Sequence, residues 1–177
     1  MKERNYEEKI KREMTLLEKI LSYIPGYRGY KEKEIRRESD RLVRMEAANR
    51  LKEAKEIIRM KLTDLVNSKK IEDKDISKLD IFLSRLDRVL YRIERAPAGY
   101  AGLFDVVKVK EDKLDKVLEN DLKLIEKTVK IKELAREFEE IEVREELLRS
   151  LDEILEYIQD VEEIVDKRSE VFRGLSE

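Results

Sequence analysis

An all-α fold, an antiparallel bundle of four or five long helices with coiled-coil-like packing, is what three features of this 177-residue chain predict. Apolar residues recur three and four positions apart through most of its length, the period of a helix with one buried stripe. Both prolines and four of the five glycines are confined to two short segments, 24–30 (Ile-Pro-Gly-Tyr-Arg-Gly-Tyr) and 96–105 (Ala-Pro-Ala-Gly-Tyr-Ala-Gly-Leu-Phe-Asp). Proline stops helices and glycine reaches backbone conformations closed to other residues, so these segments are corners between helices. Charged residues make up 46% of the chain, but the signs are mixed, 40 basic against 42 acidic, which favours solvated helix faces over disorder.

The first helix is expected over about residues 5–23, with Ile10, Met14, Leu17, Ile20, Leu21 and Ile24 on one stripe and Pro25 ending it. A longer second helix spans about residues 30–67, its stripe formed by Ile35, Leu42, Met45, Ala48, Leu51, Ala54, Ile58, Leu62 and Leu65. Ala48 and Ala54 would admit a closely packed neighbour. Residues 67–73 form a polar connector. Asp73 or Asp75 is suited to cap a third helix carrying Ile76, Leu79, Phe82, Leu83, Leu86, Val89, Leu90 and Ile93, which Pro97 closes. Val106, Val107 and Val109 make one β-branched run that lacks a partner strand, so no sheet is expected.

The fourth helix is expected over residues 111–140, with Leu114, Val117, Leu118, Leu122, Ile125, Val129, Leu134 and Phe138. Residues 139–143 contain neither Gly nor Pro. Two outcomes stay open there: a tight turn giving an antiparallel bundle, or one continuous helix of roughly 60 residues that needs a partner chain. The last stripe holds Leu147, Leu151, Ile154, Leu155, Ile158, Val161, Ile164, Val165 and Phe172. The chain reads as a single domain, 1–177, with 143–177 as an acidic C-terminal helix that protrudes or dimerises in one version of the fold.

Composition narrows the chemistry. The chain has no His, Cys or Trp, and Gln159 is its single Gln. Without Cys there is no disulfide or thiol chemistry, and without His the Glu-x-x-His pairs of di-iron bundles cannot be built. No metal, cofactor or catalytic set is expected, and the chain is read as a non-enzyme. Lys and Glu in abundance resemble thermophile composition. No run approaches the 18 or more apolar residues of a membrane span, and residues 1–5 lead into no signal-peptide core, so a cytoplasmic location is expected. Residues 1–100 carry 26 Lys and Arg against 19 Asp and Glu, whereas residues 101–177 carry 14 against 23. The halves are thus complementary, suiting docking within the chain or between antiparallel copies. Nucleic-acid binding would require an unopposed basic face and is disfavoured.

The candidate site lies where charge interrupts the apolar stripes. Asp121 occupies a core position between Val117 and Ile125, and a buried carboxylate needs a partner. Asp40-Arg41 and Asp87-Arg88 each lie within three turns of a glycine segment and supply candidate partners. Together with Asp105 they are expected to converge on one end of the bundle, as a polar network or a ligand site. Tyr27, Tyr30, Tyr100 and Phe104 either pack the corners or present an interaction surface.

The elements Pro25 to Tyr30, Asp40-Arg41, Gly99 to Asp105 and Asp121-Leu122 resemble those of a family of small helical bacterial and archaeal proteins with Pro-Gly-Tyr-x-Gly-Tyr and Gly-Tyr-x-Gly-Leu-Phe-Asp loops. The likeness covers roughly residues 16–125, with Pro97-Ala98 departing from the Tyr more usual before the second loop. It implies a helical fold and brings no activity. The expected function is that of a non-catalytic interaction or scaffold protein, binding a protein partner or a second copy through the corner loops or the acidic C-terminal helix. The alternative is a small anionic-ligand site of Arg, Asp and Tyr at the corners.

Overall fold

The computed structural model describes residues 2–26, 32–96 and 111–173. Among them are five helices and no strand: α1 (Lys2–Ser22), α2 (Glu32–Asn67), α3 (Asp73–Arg95), α4 (Glu111–Glu140) and α5 (Arg144–Arg173). The valine run 106–109 lies outside the described residues.

Two helical hairpins make up the bundle, α2 with α3 and α4 with α5. They lie side by side, so that α2 runs parallel to α4 and α3 parallel to α5. The ion pairs fix these directions: Lys132 meets Glu53 and Lys61 meets Glu142 along α2 and α4, while Lys78 meets Asp152 and Arg92 meets Asp166 along α3 and α5. The short α2–α3 and α4–α5 turns therefore share one end of the molecule. Helix α1 packs on α4 and α2, also parallel to α4, as Arg12–Glu119 and Lys19–Glu126 show.

This arrangement explains the burial pattern of α4. Over residues 117–128 it is covered by α1, α2 and α5, and Val117, Leu118, Leu122, Leu124 and Ile125 are all buried. Farther along, past the end of α1, only one stripe is buried, through Ile131, Leu134, Ala135 and Phe138. Ala47, Ala48 and Ala54 are buried on α2, where small side chains let helices approach closely. Phe82 and Phe138 are wholly enclosed and are the largest side chains of the core.

The chain does break between α4 and α5. Ile141, Glu142 and Val143 form the turn, the Ile141 N–H donating to the Phe138 carbonyl at 3.3 Å, and the continuous 60-residue helix is thereby set aside. Described α5 does not protrude; its stripe from Leu147 to Val165 is buried in the bundle.

Three local expectations need correction. Met45 is half exposed, because Val43 and Ala47 take the inward positions on that turn of α2. Ile76 lies at the rim and is 38% exposed. The N-cap of α3 is Glu72, with Asp75 three residues on accepting the Glu72 N–H at 3.3 Å, the reciprocal half of a capping box.

The α2 terminus contains a feature no glycine announces. The Lys70 N–H donates to the Leu65 carbonyl at 2.9 Å and the Lys69 N–H to Val66 at 3.1 Å, the two bonds of a Schellman motif. Lys69 takes the left-handed position, φ 55°, that Gly fills most cheaply. In the segment after α1 the left-handed backbone falls to a glycine, Gly26, at φ 78°.

Candidate functional site

The polar residues of the bundle interior concentrate at the end away from the short turns. There α4 contributes Asp121 and α5 contributes Arg168. Arg168 Nε donates to Asp121 Oδ1 at 3.0 Å, and the two side chains are 4% and 0% exposed. Burial depresses the Arg168 guanidinium to about 10, still far above neutrality, so the guanidinium is charged at physiological pH. Two turns along α4, Thr128 is also fully buried and returns its hydroxyl to the Ile125 carbonyl at 2.9 Å.

Two arginines of α2 serve the neighbouring helix ends. Arg44 Nη1 donates to the Ala96 carbonyl, just beyond α3, at 2.8 Å. Arg50 Nη2 donates to the Tyr23 carbonyl, just beyond α1. Cationic groups are favourable there, where unpaired carbonyls give each helix its negative end. Arg50 is held for this by Glu46 one turn earlier, 2.8 Å away, and its guanidinium faces the Tyr23 ring at 5.9 Å.

Of the Asp-Arg pairs expected to converge, Asp87-Arg88 goes elsewhere, while part of the rest lies outside the described residues. Asp121 is buried at a core position, but the partner seen is Arg168. Asp87 is exposed on α3 and pairs with Lys55 of α2. Arg88 is exposed beside it and approaches Glu162 of α5 at 3.6 Å. Neither joins Asp121. Arg41 lies exposed on α2. The Asp40 side chain and all of Tyr27, Tyr30, Tyr100, Phe104 and Asp105 lie outside the described residues. Arg168 was legible in principle: it continues the stripe of Val161 and Val165, a charge at an apolar position like Asp121 itself.

The turn end carries a second polar cluster, nearer to solvent. Arg144, in the first turn of α5, grips Asp75 of α3 through Nε and Nη2 at 2.9 and 2.6 Å and also approaches Glu72. Burial works against ionisation of Asp75, yet the Arg144 bonds and the Glu72 N–H together hold its carboxyl below the usual range. Glu142, in the α4–α5 turn, accepts from Lys70 at 2.8 Å and Lys61 at 3.0 Å. Those two hydrogen bonds lower Glu142 to about 2.

The charge asymmetry of the sequence is resolved largely inside the molecule. Cations of the first hundred residues meet anions of the rest in Arg12–Glu119, Lys19–Glu126, Lys61–Glu142, Lys78–Asp152, Arg85–Glu162 and Arg92–Asp166. Among the described residues, no group of three or more acidic side chains is placed to hold a metal ion, and no helix is long and apolar enough to cross a membrane. Comparisons with protein-family models, with curated proteins and with solved structures find no match.

Proposed function

We propose that this protein is a non-catalytic helical interaction module that engages a basic protein partner through the outer face of α5. One observation carries the reading. Most α5 anions that border α3 or α4 are matched to cations of those helices, as in Asp152–Lys78, Asp160–Lys127 and Asp166–Arg92. Glu146, Glu153 and Glu156, on the side of α5 opposite its buried stripe, are exposed and have no ion-pair partner among the described residues. Their spacing of seven and three places them on one line along the helix. Exposed Arg149 stands on the same line between Glu146 and Glu153, so the row is three anions and one cation, net acidic. Such a row on a rigid helix suits a mainly basic surface, giving orientation and fast encounter more than raw affinity.

The test is titration of a Lys/Arg-rich helical peptide against the full chain and against the Glu146→Lys, Glu153→Lys, Glu156→Lys triple variant. Binding that weakens about tenfold or more in the variant, and with added salt, supports the reading. Equal affinity for both proteins overturns it.

A further inference from the structure

Helix α1 covers only part of the groove on which it lies. Its cations Arg12 and Lys19, seven residues apart, meet Glu119 and Glu126 of α4, also seven apart. Just beyond its end the Tyr23 carbonyl accepts from Arg50 of α2, and the next described helix resumes at Glu32, the start of α2. Both α2 and α4 run on past that point, α2 to Asn67 and α4 to Glu140. About ten residues of α4, roughly 15 Å or nearly three turns, therefore border a stretch of groove that α1 does not reach.

This stretch repeats the pattern of the part that α1 covers. The line of Glu119 and Glu126 continues at the same spacing through Glu133 and Glu140, and two turns of helix return each to the same face. Both are exposed. Glu133 has only a 4.0 Å approach from Lys130, and Glu140 has no ion-pair partner among the described residues. On α2, Ile57 stands seven residues beyond Arg50, and Met60 seven beyond Glu53, which bonds Lys132 across the groove. Ile57 is partly buried against the core, as is Val129 of α4, whereas Met60 is 64% exposed. Lys132 and Lys61 are tied to Glu53 and Glu142, exposed Arg136 and Asp64 add one charge of each sign, and exposed Glu137 lies beside the line. The result is an apolar strip with a net acidic border.

Helix α1 shows what such a border accepts: Arg and Lys seven apart, beside a buried stripe of Leu17, Ile20 and Leu21. We propose that the groove between α2 and α4 beyond α1 receives an amphipathic helix of a partner protein, laid end to end with α1. Lys or Arg residues seven apart on that helix meet Glu133 and Glu140, while its apolar stripe covers Ile57 and Met60. This is the helix-in-groove mode of recognition, and three turns bury a small area, so the contact is weak and reversible. It uses a different surface from the acidic row of α5 and stands or falls separately from it.

A fluorescently labelled peptide of residues 12–24 carries Arg12, Lys19 and the α1 stripe and serves as the probe. Titrated with the full chain up to millimolar concentration, it should bind. Its affinity for the Glu133→Lys, Glu140→Lys variant should fall about tenfold, with circular dichroism confirming that the variant is folded. A peptide carrying Arg12→Glu and Lys19→Glu should reverse this order and prefer the variant to the unmodified protein. The Glu146→Lys, Glu153→Lys, Glu156→Lys variant should bind the original peptide with little change, which separates this groove from the outer face of α5. Absence of binding, equal affinity for the groove variant, or a loss confined to the α5 variant would each overturn the proposal. So would a loss on Glu119→Lys, Glu126→Lys in place of the groove pair, because the peptide would then be displacing α1.

Discussion

Asp121–Arg168 and Asp75–Arg144 are the same chemical pair, placed at opposite ends of the bundle and in opposite surroundings. The first is sealed in the core between helices of one hairpin. The second sits at the rim, joining the two hairpins, with Arg144 still 24% exposed. In the core, desolvating both ions costs several kcal/mol each, so the pair need not stabilise the fold, yet removing either member takes a hydrogen-bonded counter-charge from the buried ion left behind. At the rim the ions keep part of their hydration, and the pair adds hydrogen bonding without a comparable penalty. One pair constrains which partner its helices accept; the other fastens what has already been paired.

The largest expected effect separates these roles. Arg168→Met or Asp121→Leu alone should lower unfolding free energy by about 3–5 kcal/mol, whereas the double replacement should recover most or all of it. Urea denaturation of the three variants would show this, and a double variant as unstable as the singles would contradict the view that the cost lies in removing one buried ion's counter-charge. Next in size, Arg144→Met should lower the melting temperature by a few degrees, less than either core single variant. A rim loss equal to the core loss would erase the distinction between the ends.

Acid distinguishes the ends in another way. Glu142, Glu72 and Asp75 all titrate below their ordinary values when folded. The folded state then binds protons less readily than the unfolded chain, so their contribution is complete above the unfolded value of 4.5 for Glu142 and fades as pH falls toward about 2. Stability measured across that interval should decline less steeply in Glu142→Gln than in the unmodified protein. Because Glu142 is 65% exposed the difference should be modest and should shrink with added salt. The smallest effect belongs to Lys69. Replacing it with Gly relieves the left-handed backbone of the α2 terminus and should raise stability by up to about 1 kcal/mol in thermal or urea melts.

The fold was legible because helices announce themselves by period. The stripes of α3, α4 and α5 predicted the buried residues closely, and Asp121 stood out as a charge at an apolar position. What periodicity along one helix does not carry is rotation and register against its neighbours. Met45 satisfies the α2 stripe yet turns outward, since Val43 and Ala47 are better aligned with α4. That Arg168, and not Arg88, meets Asp121 depends on α4 and α5 being antiparallel, which hung on a three-residue turn without Gly or Pro. The α2 terminus was equally silent, because its left-handed residue is a lysine.

Both short turns lie at one end, and this has a consequence for the order of assembly. Each hairpin closes through a connector of five residues (68–72) or three (141–143), so little chain entropy is lost in forming it. Contacts within a hairpin are near in sequence and are expected to form early. The Arg144–Asp75 grip joins the hairpins across 69 positions and belongs to the final docking. Its removal should therefore leave the refolding rate almost unchanged and speed unfolding, making this surface arginine a determinant of how long the native bundle lasts.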